Sequence, residues 1–278
     1  MKSKSNKILF LTHYKNKGII KIVQKNKNFV LGNINNLIYK LDKDKFNLGI
    51  IINNKYTNIK KFKNIFCFDK LESLALLLEK AKENNINLIN KNFHLSENNI
   101  LVHNKIGQHL FFKKNNIPCL PITNDFNNEK IDKYIFKYNR GSFGKEIFLP
   151  EEERSFLQEK IKSNDFFMEK LIRNKKEYRV LTINKKSILT TRIMNRNSPT
   201  DNINLNIEKI QYSKIENIAE KISNILDLDY CGIDFVLDCS SNKIYVLEIN
   251  FFAKLASRFP EYTREALDGI KKYFDSLS

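Results

Sequence analysis

Tryptophan is absent, and the chain holds only 4 cysteines, 4 histidines, 5 prolines and 8 glycines in 278 residues. Most of these scarcities close off a class of function. Cys67, Cys119, Cys231 and Cys239 form no Cys-x-x-Cys pair and have no histidine at ligand spacing, which excludes a zinc cluster and a dithiol redox centre. Cys67 in "NIFCFD" and Cys119 in "IPCLPI" lie in apolar runs, where a free thiol acts as a small hydrophobe. A chain without paired cysteines is expected in a reducing, cytoplasmic setting. His13, His94, His103 and His109 are scattered, so no serine–histidine or cysteine–histidine arrangement emerges, and none of the four is expected to be a catalytic base. Apolar runs are short as well. Nothing approaches the stretch needed to span a bilayer. The N-terminal "MKSKSNKILFLTHYK" offers only "ILFL" between basic residues, too little for a secretory signal.

Acidic residues are the other shortage: Asp and Glu total 31 against 48 Lys and Arg, a formal net charge of +17. Such a charge suits a polyanionic partner. The lysines, however, are spread along the chain with asparagine and isoleucine ("NKNFVLGNINNLIYKLDKDKFN") rather than gathered on one helix or tail. A coding bias toward those residues accounts for the pattern, and nucleic acid is the disfavoured partner. Core material is plentiful. Hydrophobic residues make up 42% and aromatics 12%, with 21 Phe and 11 Tyr, sufficient for ordered domains.

"KILFLT" and "NLGIIIN" read as buried strands, and "DKLESLALLLEKAKENN" as a helix that Asp69 and Glu72 cap. Strands alternating with helices make the first hundred residues a small α/β unit. A helix at "NKIGQHLFFKKNN" ends against the prolines of "IPCLPI". Strands "YIFKY" and "EIFL" follow, then a helix from Pro150 with acids in its first turn. From residue 166 the pattern turns β-rich: "FFMEKLI", "EYRVLTI" and "SILTTRIM". A helix "SKIENIAEKISNILDL", the strands "YCGIDFVLD" and "KIYVLEIN", and an amphipathic helix "YTREALDGIKKYFDSL" close the chain.

Three clusters carry chemistry. In "FKYNRGSFGKE", Gly141 and Gly144 flank a hairpin tip without bulky side chains. Bare backbone there can approach a phosphate, Ser142 adds a hydroxyl, and Lys137 on the preceding strand adds charge. No Gly-Lys-Ser/Thr follows, so this is not a Walker loop, and taken alone it is also an ordinary turn. In "GIDFVLD" and "VLEIN", Glu248 and Asn250 are two apart and share a strand face, and an antiparallel return can bring Asp234 beside them. Two carboxylates and an amide oxygen suit a hard divalent ion. The alternative is a hairpin with its acids in solvent, against which stand the apolar runs these acids interrupt. Arg179 in "EYRVLTI", Arg192 in "TTRIM" and Arg196 could clamp a phosphoryl group; for Arg196 a plain surface position explains the residue equally well.

In chain order these pieces resemble the ATP-grasp superfamily, most closely its branch of ribosomal-protein glutamate ligases and bacterial glutathione synthetases. The segments that carry the resemblance are "HNKIGQHLFFKKNNIPCLPI", "FKYNRGSFGKEIFL", "FFMEKLI", "KEYRVLTINKKSILTTRIM", "NLNI" and "YCGIDFV…VLEIN", across residues 103 to 250. The resemblance implies a mixed α/β (α+β) fold in three parts: an N-terminal α/β domain (1–100), a central subdomain with the glycine lid (101–172) and a β-rich C-terminal subdomain (173–278). It implies ATP and Mg²⁺ as cofactors, with Mn²⁺ as the alternative ion. Lys105 and Lys137 would contact the phosphates, and Gly141, Ser142 and Gly144 would form the lid. Glu169, Lys170 and Leu171 would be the adenine hinge, and Glu177 would lie near the ribose or the lid base. Arg179 and Arg192 would face the transferred phosphate and the acyl oxyanion. Asp234, Glu248 and Asn250 would hold the metal, with Asn206 nearby.

The implied activity is ADP-forming ligation of a carboxylate to an amine, on small molecules or peptides, through an acyl phosphate; relatives often form dimers or tetramers. Three departures bear on the substrate. Asn206 runs into "NIEKIQ" rather than a Gly-Gly turn, Asn250 is followed by "FFAKLAS", and Lys137 by Tyr138 instead of proline. These leave open an ATP-grasp kinase acting on a small polyol, since "EINFF" also resembles inositol polyphosphate kinases.

Overall fold

The computed structural model describes residues 5–13, 17–42, 45–68, 74–97, 101–125, 133–139, 147–149, 166–194, 206–251, 253 and 260–277. Gly141, Ser142, Gly144, Arg196, the capping pair Asp69 and Glu72, and the helix expected from Pro150 lie outside these residues; Asn206 is described by its backbone alone.

The chain opens with β1 (Ser5–Thr12), α1 (Lys17–Lys25) and β2 (Phe29–Asn33). Then come β3 (Leu37–Asp42), β4 (Lys45–Ile52), β5 (Lys55–Asn58), β6 (Phe62–Cys67), α2 (Leu74–Glu83), β7 (Asn87–Leu88) and α3 (Lys91–His94). Strands β2-β1-β6-β7 form a parallel sheet. β1 lies inside it and is buried on both faces, which is why "ILFL" is apolar without alternation. Strand–helix alternation did not foresee the link from β2 to β6. It is an antiparallel meander, β3-β4-β5, whose Leu48 and Ile50 pack against Leu9 and Leu11 of β1.

A second, antiparallel sheet follows α4 (Lys105–Lys114). It comprises β8 (Ile122–Thr123), β9 (Tyr134–Tyr138), β10 (Ile147–Phe148) and β11 (Phe166–Lys170), in the order β10-β9-β11-β8. The third contains β12 (Lys175–Ile183), β13 (Lys186–Met194), β14 (Asn206–Lys209), β15 (Tyr230–Asp238) and β16 (Lys243–Asn250), in the order β14-β13-β12-β15-β16. Helix α5 (Ser213–Ile225) precedes β15, and α6 (Pro260–Ser276) follows β16. No helix among the described residues is long and apolar enough to cross a membrane.

The third sheet is covered differently on its two faces. Ile215, Ala219 and Ile222 of α5 pack on Tyr178, Val180, Ile233 and Phe235. On the opposite face Leu181 and Ile183 of β12 join Ala266, Leu267 and Ile270 of α6 and Ile8 and Phe10 of β1 in one core. Period-two alternation continues that face along β12 to Arg179 and Glu177. Charged side chains therefore begin where this shared core ends.

Asn90, in the left-handed region at φ 58°, ties the N-terminal sheet to β15. Its backbone N–H donates to Asp229 Oδ2 at 2.9 Å, its Nδ2 to Tyr230 O at 2.7 Å, and its Oδ1 accepts from Tyr230 N at 2.9 Å. Asparagine tolerates this backbone and supplies both halves of the amide exchange. Asn90→Asp keeps the backbone preference but removes the donor to a buried carbonyl and sets a carboxylate beside Asp229. It should cost about 1–3 kcal/mol, read from urea unfolding; an unchanged midpoint would refute this junction.

Candidate active site

Arg179, Asp234 and Glu248 are direct cross-strand partners on β12, β15 and β16 and point to one face. Arg179 grips Asp234 with both ends of its fork, Nε to Oδ1 at 2.6 Å and Nη2 to Oδ2 at 2.7 Å. Asn250, opposite Gly232, donates from Nδ2 to Asp234 Oδ2 at 3.0 Å. The Asp234 charge drives the guanidinium pKa further up, against the opposing effect of burial.

A bulge makes this grouping. The hairpin pairs Asp238 with Lys243 and keeps step as far as Phe235 and Val246; then Leu247 is skipped and Asp234 pairs with Glu248. Without the extra residue Asp234 would face Leu247 and Glu248 would point to the other side. Close packing requires a glycine at 232. A Cβ there would lie 2.7 Å from the Cβ of Ala253, which folds back over the strand.

Helix α4 brings the next cation. Lys105 Nζ lies 3.4 Å from Glu248 Oε2. The helix start is fixed on both sides: Asn104 caps the Gly107 N–H at 2.8 Å, and Asn139 at the end of β9 accepts from Lys105 N and from Ile106 N, each at 3.1 Å. A Cβ on Gly107 would sit 1.7 Å from the Leu101 carbonyl oxygen, so no larger residue fits there. In sequence Asn139 immediately precedes the glycine-rich segment, so α4 fixes the residue before it.

The second sheet contributes Lys137 and Glu169, which form an ion pair across β9 and β11, with Glu169 only 1% exposed. His109, one turn beyond Lys105 on α4, closes the group through Nε2, 3.1 Å from Glu169 Oε1. An ionised carboxylate only accepts, so Nε2 carries the proton. Burial disfavours the Glu169 charge, but Lys137 and His109 overcome it and hold the carboxyl well below its ordinary range. Glu248 behaves alike: burial opposes its charge, while Lys105, Lys137, Arg179 and Asn250 bring its pKa down. Two sheets and one helix thus focus three cations on two carboxylates and an amide.

Among the described residues no three of His, Cys, Asp and Glu gather as a metal site. Two carboxylates and an amide oxygen on neighbouring strands are nonetheless a donor set for a hard, oxygen-seeking ion. Arg179 and Lys105 supply the compensating positive charge in this structure.

A family model described as an ATP-grasp domain matches residues 102–251, more than half of the chain. The chain belongs to the ATP-grasp family. The expectation of a mixed α/β ATP-grasp fold is borne out. An uncharacterized protein of Mycoplasma genitalium, MG012, is 27% identical over 208 residues, 67% of this chain and 71% of that protein. Among solved structures, the macrocyclase MdnC bound with precursor peptide MdnA, from Microcystis aeruginosa, matches with TM-score 0.69 and 11% identity, over 98% of this chain and all of that one. The ATP-grasp ligase PsnB, complexed with a phosphomimetic variant of its minimal precursor, Mg and ADP, matches with TM-score 0.66 and 13% identity, over 96% of this chain and 100% of PsnB. D-alanyl-alanine synthetase A of Vibrio cholerae gives 0.62 and 12%, over 99% of each chain. At these identities the structures show the shared fold.

On this ATP-grasp frame, Lys105, Lys137, Arg179, Asp234, Glu248 and Asn250 meet in one place. Glu177 lies two residues before Arg179 on the same face of β12, paired with Lys175 at 2.6 Å. Arg192 does not join them. The β12–β13 hairpin begins with Ile183 opposite Lys186, then skips Ile188, so that Arg179 pairs with Thr191 and Arg192 with Tyr178. Arg192 therefore lies on the face that α5 covers, where Tyr178 packs edge-to-face on Tyr212. An unbulged hairpin would have placed Arg192 opposite Glu177 on the Arg179 face. In the expected hinge, Glu169 is engaged through its side chain, and the N–H groups of Lys170 and Leu171 donate to Pro121 O and Lys133 O at 3.1 and 2.7 Å. Those two N–H groups are thus already engaged within the protein. Asn206 pairs with Met194 at the edge of the sheet.

Gln108, His109 and Asn139 are not among the site residues expected from the sequence. The signal for the first two was present: polar residues three and four positions after Lys105, on the apolar face of a helix.

Proposed function

We propose that this protein is an ATP-dependent, ADP-forming carbon–nitrogen ligase that joins a carboxylate to an amine through an acyl phosphate. The observation that carries this reading is the meeting of Lys105, Lys137 and Arg179 with Asp234, Glu248 and Asn250 on facing elements of an ATP-grasp fold. Lys105 and Lys137 hold the nucleotide phosphates, with Gly141, Ser142 and Gly144 as the lid over them. Glu169, Lys170 and Leu171 line the base, and Glu177 the ribose side. Asp234, Glu248 and Asn250 hold Mg²⁺, which supplies charge neutralisation for phosphoryl transfer. Arg179 turns its fork from Asp234 toward the oxygens of the transferred group, a planar match for phosphate. The three parts of the chain at 1–100, 101–172 and 173–278 supply the N-terminal lobe, the lid and the metal face. Four free cysteines suit a cytoplasmic setting.

The chemistry needs no protein nucleophile. Positioning brings the carboxylate oxygen to the γ-phosphorus, and fixed cations offset the charge that develops. PsnB and MdnC each have a solved structure with a precursor peptide bound, which favours a peptide as one substrate over a free metabolite.

The test is ADP release across amino acids, dipeptides and acidic peptides, with hydroxylamine as the trapping amine. Ligation requires both a carboxylate and an amine and yields a hydroxamate in the trap. A phosphorylated acceptor with no hydroxamate would replace this reading with that of a kinase.

A further inference from the structure

Glu248 and Asn250 face Asp234 only because the strand skips Leu247, and a bulge on an outer strand needs something to hold its register. β16 is the outer strand of its sheet, and two hydrogen bonds from beyond the sheet bracket the bulge. Before it, Val246 N donates to Pro118 O at 2.8 Å. After it, Ile249 N donates to Gln108 Oε1 at 2.8 Å, while Gln108 Nε2 donates to Ile249 O and to Val102 O, both at 3.2 Å. Val246 and Ile249 are three apart. A regular strand turns alternate residues to the same edge, so the two share one only because of the extra residue. The Gln108 amide thus takes the place of a peptide group in a neighbouring strand, and at 5% exposure it is sealed from water.

We infer that Gln108 is a positioning residue: it fixes the register of β16 beyond the bulge and so presents Glu248 and Asn250 to the metal. The inference rests on the proposed metal site. Gln108 stands on the same helix as Lys105, three residues on, so one rigid element sets both a phosphate-side cation and the strand that carries the acids. Groups behind metal ligands typically shift metal affinity or activity by about 10–100-fold when lost.

The experiment is calorimetric titration of the intact protein with AMPPNP, in EDTA and across a magnesium series, for wild type, Gln108→Met and Gln108→Glu. Methionine conserves volume but leaves Ile249 N–H and C=O without their partner; glutamate keeps the acceptor and serves where the methionine variant fails to fold. The expected result is wild-type affinity in EDTA with the magnesium requirement raised about 10-fold or more. A magnesium response equal to wild type overturns the role of Gln108. Equal weakening with and without magnesium also overturns it, since that marks general loosening. A wild-type protein whose AMPPNP affinity ignores magnesium overturns the metal site itself, and this inference with it.

Discussion

Glu248→Gln and Asp234→Asn should each cut turnover by roughly a hundredfold or more, with the fold largely retained. Each substitution keeps shape and removes one negative charge from a three-member oxygen set, so the ion loses both affinity and its fixed position. The fold tolerates the change because neither carboxylate is sealed away: 15% of the Asp234 side chain and 28% of the Glu248 side chain remain exposed. Each amide keeps an oxygen that accepts from the same donors, and the freed Arg179 stays solvated, with 40% of its side chain exposed. The two variants also make different secondary changes. Asp234→Asn frees Arg179 from a bidentate partner, whereas Glu248→Gln frees Lys105. ADP release with the substrate pair found by the screen measures turnover, and circular dichroism with urea unfolding checks the fold. Near-normal rates in both variants would remove these side chains from the metal site.

Legibility in the sequence followed the range of the interaction that decides each feature. Strand and helix positions rest on local periodicity, and "KILFLT", "YIFKY", "EYRVLTI" and "KIYVLEIN" each lie within or match an observed strand. Face parity is less local. Glu248 and Asn250 share a face by being two apart, but Asp234 reaches them only through the bulge at Leu247, which no alternation reveals. The same kind of bulge, at Ile188, turned Arg192 away. Both hairpins skip one residue, with opposite consequences for the reading. Least legible were the side-chain amides. Gln108 and Asn90 each exchange two hydrogen bonds with the backbone of a single distant residue, Ile249 and Tyr230. Such pairing depends on where an edge ends in space. In sequence the residues are ordinary members of an asparagine-rich chain.

Lys137→Met should destabilise the protein by about 3–5 kcal/mol at neutral pH, because it strands the Glu169 carboxylate in a dry site. Glu169 is 1% exposed and has two charge-stabilising neighbours, Lys137 and His109. Among the described residues Nδ1 of His109 has no hydrogen-bond partner, and the single contact of Nε2 with Glu169 does not replace the lysine. The pH dependence carries a sign. In the wild type the Glu169 pKa is depressed, so its contribution is present above the ordinary carboxylate value of about 4.3 and is lost as pH falls through the lower, folded value. In Lys137→Met burial is opposed only by the His109 contact and raises the same pKa from its wild-type value, so acidification relieves the variant by protonating Glu169. The gap between the two urea midpoints should be widest at pH 7 and narrow steadily toward pH 5. A gap constant with pH would mean that the lysine acts through packing alone. Adding Glu169→Gln to Lys137→Met removes the stranded charge and should recover most of the stability, as neutral replacements of buried pairs commonly do. Nucleotide affinity should stay low in that double variant, because the amide repairs the fold without restoring a cation beside Glu248. Recovery of both together would take Lys137 out of the phosphate site.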